Sequence, residues 1–177
     1  MADRSRDILT GLFRDRESAE RAYGCVTSRG YGKGDVSLLM SEDTRKRMFP
    51  KTEADTELGT KAAEGAGLGA LTGGGVGALL AGLAAAGIAV PGLPIIAAGP
   101  LAAALAGGVT GGTVGGIIGA LIGYGIPEER AKLYDKGILE GGVVMGVTPR
   151  TPEDAEYLER EWRDLHGEQI YRPERRP

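Results

Sequence analysis

The feature that most constrains this chain is a stretch of 63 residues, 65–127, that contains no Asp, Glu, Lys, Arg or His. The chain has 177 residues, and its 21 Lys and Arg, its 24 Asp and Glu and its single His all lie outside this stretch. The flanks alone make a core too small to bury so long an uncharged segment within an ordinary monomer. We therefore expect lipid or other copies of the chain to cover it.

Prolines divide the uncharged stretch into two arms. Three of them cluster within residues 88–100, which predicts a loop there, and two helical arms remain at residues 62–87 and 101–123. At about 1.5 Å of rise per residue, each arm is long enough to cross a hydrocarbon core of about 30 Å. The predicted tip of this helical hairpin comprises Pro91, Gly92, Pro94 and Pro100.

Glycines recur every four residues along both arms, which places them on one face of each helix. A flat glycine face lets two helix backbones approach closely, as in small-xxx-small packing within lipid. We predict that this face packs helices together and drives oligomerisation. The glycines concerned are Gly65, Gly69, Gly73, Gly77, Gly107, Gly111, Gly115, Gly119 and Gly123. A flexible apolar linker is the alternative, and the regular spacing argues against it.

The first flank has a strand–helix–strand pattern. Residues 8–13 predict a strand, and Asp15 is a candidate N-cap for a helix that ends at Gly30. Residues 36–40 alternate in the manner of a second strand. Residues 42–61 mix charges with little periodicity and predict a polar connector.

The second flank continues the same pattern. Pro127 suits the first turn of a helix that Gly137 closes, and residues 143–147 predict a strand. Thr151 starts a capping-box variant, and apolar residues then follow at helical spacing. These residues are Ala155, Leu158, Trp162 and Leu165. Residues 169–171 predict a short edge strand.

Together the flanks predict an α+β fold of the ferredoxin-like sandwich type, β-α-β followed by α-β-α-β, interrupted by a long glycine-rich two-helix hairpin. The predicted organisation has four parts. They are residues 1–61 for the first half with its connector, 62–126 for the hairpin, 127–171 for the second half and 172–177 for a disordered tail.

Several classes of function lack support in the sequence. A net charge of −3 gives no basic face for nucleic acid. A single Cys25 and a single His166 cannot form a Cys/His metal cluster within one chain. Residues 65–70 match a dinucleotide-binding fingerprint in form, but a charged helical stretch precedes them where that fingerprint needs a strand. Asp154 and Glu159 are interpreted as capping and surface charges. We therefore predict no catalytic residue, cofactor or metal.

The flanks also resemble the bacterial heat-induced general stress protein domain. The resemblance rests on the strand at Leu12 and Phe13 with the helix at residues 19–22, and on residues 125–134 and 141–147, which read GIPEERAKLY and GGVVMGV. Members often carry a Gly/Ala/Pro-rich apolar insert, similar to residues 89–93. The resemblance covers nearly the full length and implies a stress-linked bacterial protein, with no established active site to carry over.

The leading expectation is a non-enzymatic, homo-oligomeric stress protein at the cytoplasmic face of the inner membrane, with its hairpin in the lipid bilayer. Positive charges flank the hairpin as the positive-inside rule prefers, Lys51 and Lys61 at its entry and Arg130 and Lys132 at its exit. One alternative is a soluble cytoplasmic shell, ring or filament whose hairpins form an apolar core. Another is a small-ligand sensor that uses the face of the sheet.

Overall fold

The computed structural model describes residues 8–50, 80, 82–84, 86–89, 94–103 and 116–173. Its strands are β1 (Leu9–Phe13), β2 (Val36–Ser41), β3 (Ile88–Ala89), β4 (Ile95–Ala98), β5 (Val143–Val147) and β6 (Glu168–Tyr171). The helices whose bounds are described are α1 (Arg16–Ser28), α2 (Glu42–Met48), α3 (Ile117–Gly123), α4 (Glu128–Leu139) and α5 (Pro152–Asp164), and a 3-10 turn spans Lys33–Asp35.

The six strands form one antiparallel sheet in the order β3-β4-β2-β5-β1-β6. Strand β5 comes from the second flank, and it pairs with β1 on one side and with β2 on the other. Both flanks therefore build the same sheet, and the uncharged stretch is inserted between them. The predicted α+β class is confirmed.

Helices cover both faces of this sheet. Buried residues of α1 and α5 pack on one face, and buried residues of α3 and α4 pack on the other. Every residue of β1, β4 and β5 is buried, as are the first five residues of β2. The open sheet face that a small-ligand sensor would use is therefore covered along these four strands.

Local sequence explains why α1 and α5 begin where they do. The Asp15 carboxylate accepts a hydrogen bond from the Ser18 amide at 2.8 Å, and the Thr151 hydroxyl accepts one from the Asp154 amide at 3.1 Å. Each cap satisfies a backbone N–H that a helix start leaves without a partner. Both predicted N-cap residues are confirmed, whereas the Asp154 carboxylate that would complete the capping box bonds instead to Arg29 and Tyr31.

Trp162 anchors α5 to the sheet. Its ring meets Phe13 edge-to-face with 5.5 Å between centroids, and its indole N–H donates to the Ala22 carbonyl at 3.2 Å. A Cβ added at Gly11 would lie 3.1 Å from the indole ring, so the glycine in β1 lets the ring lie close to the strand. The predicted burial of Ala155, Leu158, Trp162 and Leu165 is confirmed.

The predicted loop at residues 88–100 is wrong, because this segment contains β3 and β4. Strand β4 pairs with β2 over four residues, from Leu38↔Ala98 to Ser41↔Ile95. Pro94 and Pro100 flank β4 and do not interrupt it. A short apolar run such as residues 95–98 carries no periodicity that separates a buried strand from other apolar structure.

This placement removes the geometric basis of the bilayer hairpin. A hairpin that crosses a membrane holds its tip about 30 Å from its ends. Here the expected tip contributes a strand that hydrogen-bonds to β2, which belongs to the first flank. The long two-helix hairpin with a distal tip is therefore not supported.

Within the described ranges, no helix combines the length and the apolar character needed to cross a membrane.

Three smaller expectations also need correction. The predicted polar connector begins with a helix, α2, because Ser41 caps it by accepting from the Thr44 amide at 3.0 Å. Gly137 does not close α4, which continues to Leu139. In the predicted disordered tail, Arg172 is described and pairs with Glu159 at 3.2 Å; residues 174–177 lie outside the described ranges.

The described part of the uncharged stretch completes both layers of the core. Leu80, Leu83 and Ala84 are buried with α1 and α5, on one face of the sheet. On the other face, α4 packs with a second set of buried residues from the stretch. That set is Ile95, Ala97, Leu101, Ala102, Ile117, Leu121 and Ile126. Charged flanks and uncharged insertion therefore share one core.

Candidate functional site

The strand order separates the sheet into two chemically different ends. We call the described residues of the uncharged stretch the uncharged end; they are residues 80, 82–84, 86–89, 94–103 and 116–127. Both strands from this stretch, β3 and β4, lie at the same side of the sheet, and the opposite edge is β6. Lys33 reaches the uncharged end from the first flank, since its ammonium lies 3.5 Å from the position of a Cβ at Gly82.

The uncharged end exposes apolar side chains. Ile88 in β3 is 48% exposed and Ile122 in α3 is 37% exposed. Ala86, Ala89 and Pro94 are also exposed. An exposed apolar surface on a folded domain commonly marks an interaction site. This surface is one candidate for a functional contact within the described residues, and α4 also exposes Leu139, at 66%.

Two of the predicted helix-packing glycines, Gly119 and Gly123, lie in α3. Gly119 in α3 is half-buried, Gly123 is exposed, and a Cβ at Gly123 would meet no atom within 4 Å. Among the described residues, no atom therefore packs against the Cβ position of Gly123. The remaining predicted glycines lie outside the described residues. They are Gly65, Gly69, Gly73, Gly77, Gly107, Gly111 and Gly115.

Charged side chains and an irregular backbone protect the opposite edge, β6, against pairing with another strand. Arg14 bonds to Glu168 at 3.0 Å and to Glu140 at 2.8 Å. Gln169 has a φ of +52°, and the register with β1 shifts between Thr10 and Leu12. Bulges and charges of this kind stop another strand from adding to a sheet.

A buried tyrosine fixes β6 in place. Burial raises the pKa of Tyr134 to about 12, so its phenol keeps its proton. The hydroxyl donates to the Gln169 carbonyl at 2.7 Å and lies 2.8 Å from the Thr10 hydroxyl. Helix α4 thereby holds β6 against β1.

The predicted membrane-flanking charges have partners within the domain where they are described. Arg130 donates to the Gln169 side chain at 2.8 Å, and its guanidinium lies 5.8 Å from the centre of the Tyr171 ring. Lys132 pairs with Glu128 at 2.6 Å on the surface of α4. Both lie on a helix that packs on the sheet. Lys51, Lys61 and the predicted tip residues Pro91 and Gly92 lie outside the described residues.

A cluster around Asp154 is the group that the sequence analysis missed. Asp154 is only 8% exposed, whereas a capping or surface charge was expected. One carboxylate oxygen accepts from the Arg29 guanidinium at 2.7 Å, and the other accepts from the Tyr31 hydroxyl at 2.7 Å. The Tyr31 hydrogen bond, followed by that of Arg29, holds the pKa of Asp154 below its ordinary value. An Asp where a capping box normally carries Glu or Gln was the available signal.

Arg150 completes this cluster from the start of α5. Its backbone N–H donates to the Tyr31 hydroxyl at 2.7 Å, and its guanidinium lies 4.4 Å from the centre of the Tyr31 ring. The same guanidinium pairs with Asp35 at 2.9 Å and donates to the Gly30 carbonyl at 3.2 Å. Each polar group of the cluster therefore has a partner from the other half of the domain. The arrangement links the end of α1 to the start of α5.

Cys25 and His166 do not come together. Cys25 is half-buried on α1, where burial and the nearby Glu161 raise the pKa of its thiol. His166 is exposed after α5 with a φ of +59°. Over the described ranges, no three His, Cys, Asp or Glu side chains are grouped so as to hold a metal ion.

Comparison with protein-family models, with curated proteins and with solved structures finds no match to this chain. The general stress protein domain thus stays a resemblance carried by the residues quoted for it.

Proposed function

We propose that this protein is a non-enzymatic protein that acts by associating with copies of itself through the uncharged end of its sheet. The observation that carries the proposal is the exposure of Ile88 and Ile122 on a surface that the uncharged stretch supplies. Covering such a surface removes apolar area from water, at about 25 cal/mol per Å². A second copy presents the same surface, and association through that surface needs no ion pair.

The polar cluster supports a structural role for the charged half. Asp154 is the buried carboxylate there, and its oxygens are taken up by Arg29 and Tyr31. A general acid or base needs a pKa near the working pH, whereas the contacts of Asp154 lower its pKa. We therefore assign the cluster to folding, and we propose no reaction for it.

We infer further that β1, β2, β5 and β6, with α1 and α5, make a ferredoxin-like unit. The order β2-β5-β1-β6 and the packing of both helices on one face support this inference. In this interpretation β3, β4, α3 and α4 are additions that extend one edge and cover the second face. An experimental structure with a different connection between β1 and β2 would contradict it.

The test of self-association is sedimentation velocity of the intact, untagged chain over a range of concentrations at low and at high salt. We expect an oligomer that persists at high salt, since apolar contacts are not screened as exposed ion pairs are. Dissociation in high salt would place the contact at the charged end. A monomer at every concentration would reject the proposal.

The cellular setting is a separate part of the proposal. We propose that the assembly forms between α+β domains in the cytoplasm and serves the stress response that the family resemblance implies. Fractionation of the untagged protein tests the first point, and recovery only with membranes would contradict it. Survival of a deletion strain after heat shock tests the second, and unchanged survival would count against a stress role.

A further inference from the structure

The outer edge of β3 offers backbone groups to another strand. In an antiparallel ladder, successive residues direct their N–H and C=O groups alternately toward one neighbour and then the other. Strand β3 pairs with β4 through Ile88↔Ala97 and Ala89↔Ile96. One of its two residues therefore points both backbone groups away from the sheet, beside the exposed side chain of Ile88.

Among the described residues, this edge has one form of protection, its short length. Proteins guard free edges with charges, prolines, bulges or very short strands. Strand β3 has two residues and no charged side chain, and residues 65–127 contain none. Two residues form few hydrogen bonds, so a strand that adds here also needs apolar contact with Ile88. The edge therefore suits a weak, concentration-dependent contact with an uncharged strand.

The other edge decides which strand can add. A second copy could present its β6 to β3, and repetition of that contact would build an open filament. Edge β6 is closed by the Arg14–Glu168 ion pair, by the positive φ of Gln169 and by the register shift beside it. The uncharged edge of the second copy remains, and pairing of like edges closes after two subunits.

We propose that two copies pair antiparallel through β3 about a two-fold axis, so that their sheets join and assembly stops at a dimer. The proposal rests on self-association at the uncharged end and specifies the contact that produces it. It selects a closed dimer over a shell, ring or filament.

The first experiment compares two exposed isoleucines of the uncharged end by sedimentation equilibrium of the full chain. Ile88→Lys places a charge at the β3 edge, and we expect the dimer dissociation constant to rise by at least about tenfold. Ile122→Lys on α3 tests the other exposed isoleucine, and we expect a smaller rise than for Ile88→Lys because α3 takes no part in the strand pairing. Leu139→Lys, at an exposed position of α4 outside the uncharged end, is the matched control, with less than about a threefold change expected. A larger effect of Ile122→Lys would move the contact to α3 and overturn the β3 pairing, while self-association would stand.

The second experiment is oxidation of single-cysteine variants in a Cys25→Ser background. Ile88→Cys or Ala89→Cys should give a covalent dimer, because a two-fold axis brings one of these positions close to its own copy. Glu168→Cys on β6 is the control and should stay monomeric. If neither β3 variant forms a crosslink although the protein sediments as a dimer, the β3 pairing is rejected and self-association stands. Particles larger than a dimer would reject closure, and a wild-type monomer would reject both proposals.

Discussion

The two edges of the sheet differ in how far they are protected against pairing with another strand. At the β6 end, Arg14 and Arg130 contact Glu168 and Gln169, and the backbone itself is irregular. Strand β3 itself carries no charged side chain, and Ile88 stands exposed beside a regular if short ladder. The first end is closed to another strand, and we propose that the second accepts one.

The comparison also separates folding from assembly within the uncharged stretch. Its buried residues, such as Leu80 and Leu121, belong to the core, whereas Ile88, Ile122 and Gly123 face outward. Among the described residues of the stretch, one part fills the two layers around the sheet and another part is exposed.

The largest expected effect comes from removing the uncharged end. Deletion of residues 65–126, with a short Gly/Ser linker, takes away β4 and exposes the side of β2 that it covers. Burial of each Leu or Ile contributes about 1.5–3 kcal/mol, and whole domains have only about 5–15 kcal/mol of net stability. We therefore expect no cooperative unfolding transition by circular dichroism.

A shorter deletion, of residues 65–79, is the matched control because it keeps every described residue. It should retain a cooperative transition. A folded 65–126 deletion would mean that the charged flanks form a complete domain, and the two ends of the sheet would then not share a core.

The sequence predicted the charged half of this fold better than the uncharged half, for a physical reason. Caps such as Asp15 and Thr151 act on neighbouring residues, so local sequence carries the signal. Strand β4 is defined by its contact with β2, which no local pattern in residues 95–98 records. Asp154 was missed in the same way, because Arg29 and Tyr31 are distant in sequence.

A sharper test of how the uncharged end docks is a pair of glycine substitutions. Gly99 has a φ of +76°, and a Cβ there would lie 2.0 Å from the Val36 carbonyl oxygen. Gly30 has a similar φ of +79° but open space around it. Gly30→Ala should lower the free energy of unfolding by about 1–2 kcal/mol, because alanine is strained in the left-handed backbone conformation. Gly99→Ala should cost about 1–3 kcal/mol more, because the backbone must also move.

The measurement is urea denaturation of both variants beside the wild type. Equal destabilisation would mean that the segment around Gly99 does not lie against β2, and the uncharged end would lose its place in the sheet.

Within the charged half, Asp154→Asn should cost about 1.5–3 kcal/mol, since it weakens hydrogen bonds to Arg29 and Tyr31. The contacts lower the pKa of Asp154 below its ordinary value of 3.8. Its contribution is therefore present above that value and is lost as the pH falls through the lower, folded-state pKa.

Urea denaturation at about pH 6 and at about pH 3 tests the direction of this pH dependence. On acidification, Asp154→Asn should lose less free energy of unfolding than the wild type. Glu128→Gln, in the exposed pair with Lys132, is the control and should change stability very little. An acid-induced loss in Asp154→Asn as large as in the wild type would assign the acid sensitivity to other groups.

The smallest expected effect comes from comparing Gly123, which faces outward, with Gly137, which is packed against another side chain. Gly123 ends α3 with open space at its Cβ position, whereas a Cβ at Gly137 in α4 would lie 2.5 Å from a methyl group of the buried Leu12. Alanine gains about 0.4–1 kcal/mol at a compatible helical glycine by restricting the unfolded chain. Gly123→Ala should therefore be stabilising by that amount. Gly137→Ala should be destabilising by about 1 kcal/mol, because overpacking outweighs the same gain.

Thermal unfolding of the monomer, at concentrations below dimer formation, measures both changes in stability without a contribution from assembly. If Gly123→Ala is destabilising under these conditions, another part of the same chain already covers α3, and the surface that we assign to the uncharged end would be smaller.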